Sequence, residues 1–124
     1  MTKACIQYLK DHQEDFLEQL MEYLRIPSVS AQSDHADDIQ SCSDWLVAHC
    51  KTIGLKTRKI KTAGNPVVIA QTPRKGKSKK PHFMVYGHYD VQPPDPLNLW
   101  TTSPFEPHIE GDKLIARGAT DNKG

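Results

Sequence analysis

The chain has 124 residues, with sixteen basic against fifteen acidic side chains and a formal net charge of +1. That length suits one domain, and the charge balance argues against nucleic acid or an anionic membrane as the main partner. A mean hydropathy of −0.61 and the lack of a long apolar run exclude a membrane-spanning helix.

Three cysteines, Cys5, Cys42 and Cys50, show no C-x-x-C spacing. They argue against a disulfide scaffold or a cysteine zinc site and fit a reducing compartment. The first residues carry charges and glutamines rather than a secretory apolar stretch. The expected location is the cytoplasm.

Residues 3–24 read as one amphipathic helix. Ile6, Leu9, Phe16, Leu17, Leu20, Met21 and Leu24 fall on one face, with Gln13 as the weak point. Pro27 stops it, and Ile26 to Ser30 reads as an extended exit. A second helix is expected over 36–53 from Ile39, Cys42, Trp45, Leu46, Cys50 and Ile53. Ser33 or Asp34 suits its start, Asp37 and Asp38 its positive end, and Gly54 its C-terminal stop.

Beyond Gly54 the period changes. Leu55–Ile60 is β-leaning, Gly64-Asn65-Pro66 is a turn, and Val67–Ala70 is an apolar strand. Phe83–Tyr86 reads as another, and both runs look buried on both faces. Residues 91–107 form a long Pro-rich loop. His108-Ile109 and Lys113–Ala116 flank a turn at Glu110-Gly111-Asp112. The fold expected is α/β, with helices packed on a mixed β-sheet.

Five of the seven residues from Arg74 to Lys80 are basic. No aromatic interleaves them to stack a base, so the stretch reads as a solvated turn protecting a sheet edge. Of the six histidines, His12, His35, His49, His82 and His108 read as surface or boundary residues. His88 differs. It follows an apolar run and Gly87, and Asp90 lies two residues on. In an extended chain His88 and Asp90 share a face while Tyr89 points away. A metal-bound histidine commonly gives its other N–H to a carboxylate. Asp121 sits among small residues and reads either as a ligand or as a turn or cap.

Three blocks then stand in order: Tyr86-Gly87-His88-Tyr89-Asp90-Val91-Gln92-Pro93; Leu99-Trp100 with Ser103-Pro104-Phe105-Glu106-Pro107; and Gly111 through Gly124, ending Ala119-Thr120-Asp121-Asn122-Lys123-Gly124. Together they resemble the zinc aminoacylase/carboxypeptidase superfamily of co-catalytic metallopeptidases. The Asp95–Trp100 stretch is most similar to its dipeptidase branch, and Ile26-Pro27-Ser28-Val29-Ser30 is similar too.

The resemblance implies a role for each matched residue. His88 would bind one zinc, Asp121 would bridge two zinc ions, and Asp90 would be the catalytic-site carboxylate that orients His88. The Asp121–Asn122 peptide bond would be cis. The family commonly carries Asp where this chain has Asn122. The cofactor implied is a pair of zinc ions, with other divalent metals as substitutes. The substrate would be a dipeptide or small peptide, and the full-length enzyme a homodimer. An N-acyl-amino-acid deacylase of the same superfamily and a non-catalytic binding fragment are the alternatives. The family's general base lies in a Glu-Glu pair downstream of the Asp-Asn-Lys-Gly block. Residues 1–124 are therefore expected to be the N-terminal part of a metallopeptidase catalytic domain, ending after the second metal-ligand motif.

Overall fold

The computed structural model describes residues 2–73, 76 and 81–124. The basic stretch discussed above lies almost entirely outside them. Helix α1 (Lys3–Asp11) is capped by Thr2, whose hydroxyl accepts from the Cys5 amide at 3.4 Å. The helix expected over 3–24 is interrupted at His12, beside Gln13, and resumes as α2 (Gln13–Leu24). Histidine is a middling helix former, and here it leaves helical geometry at φ −114°, ψ 15°. Its ring lies 4.3 Å from that of Tyr8, and Nδ1 is 3.2 Å from Asp15. The apolar face expected to be buried is open along α1, where no residue is buried. Only Tyr23 and Leu24, at the end of α2, enter the core.

Helix α3 (Ala36–Thr52) does not use Ser33 or Asp34 as its cap. Those residues form a 3₁₀ turn over Ser33–His35, and His35 takes the cap position without a side-chain capping bond. Its far end is as expected. Gly54 adopts φ +84°. The Gly54 amide donates to Lys51 O at 3.0 Å and the Leu55 amide to Cys50 O at 2.9 Å, the paired bonds of a left-handed helix stop.

The α/β class read from the sequence holds. The described strands form two antiparallel pairs rather than one continuous sheet. β1 (Lys56–Ile60) pairs with β2 (Val67–Gln71), with Ile60 opposite Val67 across the Gly64-Asn65-Pro66 turn. α3 packs on this pair, and Lys59 reaches Asp44 at 2.8 Å. β3 (His108–Glu110) pairs with β4 (Lys113–Ile115) around Gly111. One parallel bridge joins Val29 to Val91.

Two strand expectations change. β2 is not buried on both faces, since Val67 is half exposed. Phe83–Tyr86 is not a strand among the described residues; each of its side chains is at least 85% exposed. An apolar run becomes a strand only when a neighbour takes its hydrogen bonds, and no described segment does so.

The core is small and sits where α2 ends. Leu24, Val29, Ile39, Cys42 and Val91 are at most 4% exposed. They come from the last turn of α2, the exit after Pro27, the first half of α3 and the segment after His88. That placement puts the molecule's best-packed region directly beneath the motif residues.

Candidate metal centre

The exit Ser28–Ser30 supports the His88 segment bond by bond. The Val91 amide donates to Ser28 O at 2.9 Å, and the Ser28 hydroxyl donates to Tyr89 O at 2.6 Å. The Cys42 thiol adds a weaker contact to Tyr89 O at 3.6 Å. Burial raises the Cys42 thiol above its ordinary pKa, so it serves here as a neutral donor. Tyr89 turns away from His88, and its hydroxyl donates to Pro66 O at 2.7 Å. Burial, then Cys42 and Asp90, push the Tyr89 phenol up to about 12. The alternation of faces read from the sequence is thus realised.

Ser28 is fully buried, and its partner carbonyl has only the weak thiol as a second donor. Ser28→Ala is therefore expected to cost about 1–3 kcal/mol, the range for leaving a buried acceptor poorly met. A urea titration reads this directly; an unchanged midpoint would mean that the Tyr89 carbonyl finds water instead.

His88 is gripped from both sides of its ring. Nδ1 lies 3.0 Å from Asp90 O and 3.2 Å from Asp90 Oδ1. Both are acceptors, so Nδ1 carries the hydrogen. Nε2 faces Asp121 Oδ1 at 2.9 Å. The Asp90 backbone bond is the largest influence raising the His88 pKa, with Asp121 and the Asp90 charge acting the same way. The sequence assigned this orienting contact to the Asp90 carboxylate; the backbone carbonyl of the same residue shares it. The remaining Asp90 oxygen, Oδ2, accepts a short hydrogen bond from the Ser30 hydroxyl.

Asp121 arrives from the other end of the chain. Gly118 adopts φ +88°, and a Cβ there would lie 2.6 Å from Val91 Cγ1. The Lys123 amide donates to Gly118 O at 3.0 Å, closing the loop that carries Asp121. The Asp121–Asn122 peptide bond is cis, in line with the resemblance, and Asp95–Pro96 is cis as well. A Cβ on Gly87 would meet Asn122 Oδ1 at 3.1 Å, so a glycine lets the two blocks approach.

Sequence reasoning brought forward His88, Asp90 and Asp121, and the structure brings all three together across 33 residues of chain. It missed Ser30 and Lys123. The Lys123 side chain is 8% exposed, and its ammonium donates to Tyr23 O at 2.9 Å and Ile26 O at 2.8 Å. A lysine followed by glycine at a polar turn carries no outward sign of burial. His12 and His35, read as surface or boundary residues, stand at the starts of α2 and α3 and pair with carboxylates three residues on.

An imidazole nitrogen facing a carboxylate oxygen is a donor pair of the type zinc takes. Asp90 keeps a hydrogen on Nδ1, as ligation through Nε2 requires, and by the same rule Nε2 holds a hydrogen toward Asp121 that a metal would displace. Asp121 is 70% exposed and His88 38% exposed, so the pair is open to solvent. Among the described residues no group of three His, Cys, Asp or Glu side chains gathers to hold a metal. The described residues therefore fit a partial metal site with two donors.

The sequence model of the peptidase family M20/M25/M40 matches residues 84–124, the segment carrying both donors. The chain is 32% identical to Cys-Gly metallodipeptidase DUG1 of Candida albicans, over 88% of this chain and 25% of the relative. It is 34% identical to succinyl-diaminopimelate desuccinylase of Aromatoleum aromaticum, over 77% of this chain and 23% of that relative. Human carnosine dipeptidase 1 superposes with a TM-score of 0.80 at 27% identity, covering 94% of this chain and 27% of that one. Residues 84–124 carry the pattern of the M20 metallopeptidase family, and similarity to its dipeptidases extends over most of the chain. The chain spans about a quarter of the length of these relatives.

Proposed function

We propose that this chain supplies one half of the metal site of a zinc-dependent dipeptidase. The observation that carries the reading is His88 Nε2 facing Asp121 Oδ1 at 2.9 Å while Asp90 holds Nδ1. In this reading His88 would hold one zinc ion and Asp121 would be shared between two. Asp90 and Ser30 fix the imidazole so that its lone pair is presented without a rotameric search. Bound zinc supplies Lewis acidity toward water and the peptide carbonyl. The complete enzyme takes a dipeptide or small peptide and is a homodimer, as the resemblance implies. A cytoplasmic setting suits three free cysteines; among the described residues no helix is long and apolar enough to cross a membrane.

The similarity to a desuccinylase favours a second reading, an N-acyl-amino-acid deacylase with the same two residues in the same roles. One experiment addresses both. The protein carrying this segment is stripped with a chelator, reloaded with zinc, and offered a panel of dipeptides and N-acyl amino acids. Dipeptide turnover that disappears with the metal and returns with zinc is the expected result. Acyl-substrate turnover alone would replace the first reading with the second. Turnover indifferent to the chelator would overturn both.

The 124-residue chain by itself is expected to hydrolyse no dipeptide when zinc is added. Its described residues offer two donors where an open catalytic site usually takes three from protein. Turnover above a zinc-only blank would refute this.

A further inference from the structure

Lys123 is the most deeply buried charged side chain among the described residues, and nothing in the proposed chemistry uses it. An ammonium removed from water is costly unless its hydrogens find acceptors. Here they find the carbonyls of Tyr23 and Ile26, and the nitrogen lies 4.6 Å from the centre of the Tyr23 ring. Tyr23 and Ile26 flank the end of α2, where the backbone dipole is negative; each carbonyl takes the ammonium in addition to one backbone amide, from Ile26 and Ser28 respectively. α2 has no basic residue in its own last turn. The cation that serves this end comes instead from 100 residues away.

The same lysine closes the loop bearing Asp121. Its amide donates to Gly118 O, and a Cβ on Gly118 would sit 3.5 Å from its Cδ and 3.7 Å from Leu24 Cδ2. Asp121 itself has little else to hold it, being 70% exposed with His88 as its side-chain partner. Two residues downstream, the chain is anchored to the helix whose exit also carries Ser28 and Ser30. Both halves of the candidate centre thus hang from residues 23–30.

We propose that Lys123 is a positioning residue, tying the Asp121 loop to the C-terminal end of α2 so that Asp121 stands opposite His88. The inference rests on the reading of His88 and Asp121 as metal ligands. Loss of such a support should weaken metal binding about 10–100-fold, the range for residues that orient ligands.

The test uses the whole chain and cobalt(II), whose visible spectrum reports its ligand set. Lys123→Met keeps the aliphatic stem and removes the donors. It is compared with His88→Ala and with Lys59→Met, the same change at the β1 lysine that pairs with Asp44, at a temperature where circular dichroism shows each variant folded. Expected are a loss of about tenfold or more in cobalt affinity and an altered spectrum for Lys123→Met, with Lys59→Met unchanged. Lys123→Cys treated with bromoethylamine restores an ammonium at nearly the same reach, and should recover both affinity and spectrum relative to parent chain treated alongside.

Parent-like cobalt binding by Lys123→Met would overturn the positioning role alone. Equal binding by parent and His88→Ala would overturn the ligand reading and this inference with it. Should Lys123→Met not fold, exchange of the Lys123 ammonium hydrogens in the parent chain carries the test. Coupling is reciprocal. If the tether favours metal binding, saturating cobalt or zinc must slow that exchange, and unchanged exchange would overturn the proposal.

Discussion

Asp121→Ala, in the protein that carries this segment, is expected to lose tight zinc binding and nearly all dipeptide turnover. Asp90→Ala is expected to lose about 10–100-fold, and Asp90→Asn a similar or smaller amount. The ranking follows from what each residue touches. Asp121 Oδ1 stands directly opposite His88 Nε2 at 2.9 Å. Asp90 acts on the far nitrogen, and its backbone carbonyl, which neither substitution removes, already accepts from Nδ1 at 3.0 Å. The backbone bond should therefore blunt the effect at Asp90, whereas nothing among the described residues replaces Asp121. Both substitutions should leave the fold intact, since Asp121 is exposed and Asp90 partly so. Zinc content and turnover are measured side by side on the three variants. Full activity in Asp90→Ala together with two bound zinc ions in Asp121→Ala would show both assignments to be wrong.

The candidate centre was more legible in the sequence than the fold around it. His88 and Asp90 share a face because extended backbone alternates, which is a local rule. Gly54 stopped α3 where expected for the same kind of reason. Asp121 stood out locally as a ligand or a cap, and only the likeness of the final block to a known family tied it to His88, because no local rule links residue 121 to residue 88. The misreadings of burial were questions of what lies opposite an element. The apolar face of α1 and the run Phe83–Tyr86 have the pattern of buried elements, yet both stand open among the described residues. A period tells which side chains point together, and a partner decides whether they are covered. Lys123 escaped notice for the converse reason: the carbonyls that receive its ammonium belong to Tyr23 and Ile26, which are distant in sequence.

Gly118→Ala should cost about 2–5 kcal/mol. Two contributions add. A left-handed conformation costs a residue with a Cβ about 1–2 kcal/mol, and Gly118 has φ +88°. Overpacking a tight site adds about 1–3 kcal/mol, and the new Cβ would lie 2.6 Å from Val91 Cγ1. Val91 is short, buried and bridged to Val29, so it has no free end to swing aside. Relief would have to come from moving the 118–123 loop, which carries Asp121. The substitution should therefore lower the urea midpoint and weaken metal binding together. Pairing it with Val91→Ala separates the two contributions, because the smaller neighbour removes the collision and leaves the backbone strain. The expected result is that Gly118→Ala costs about 1–3 kcal/mol less in the Val91→Ala background than in the parent. If the two losses simply add, the Val91 contact is not the cause, and the loop must bear the methyl group by some other adjustment.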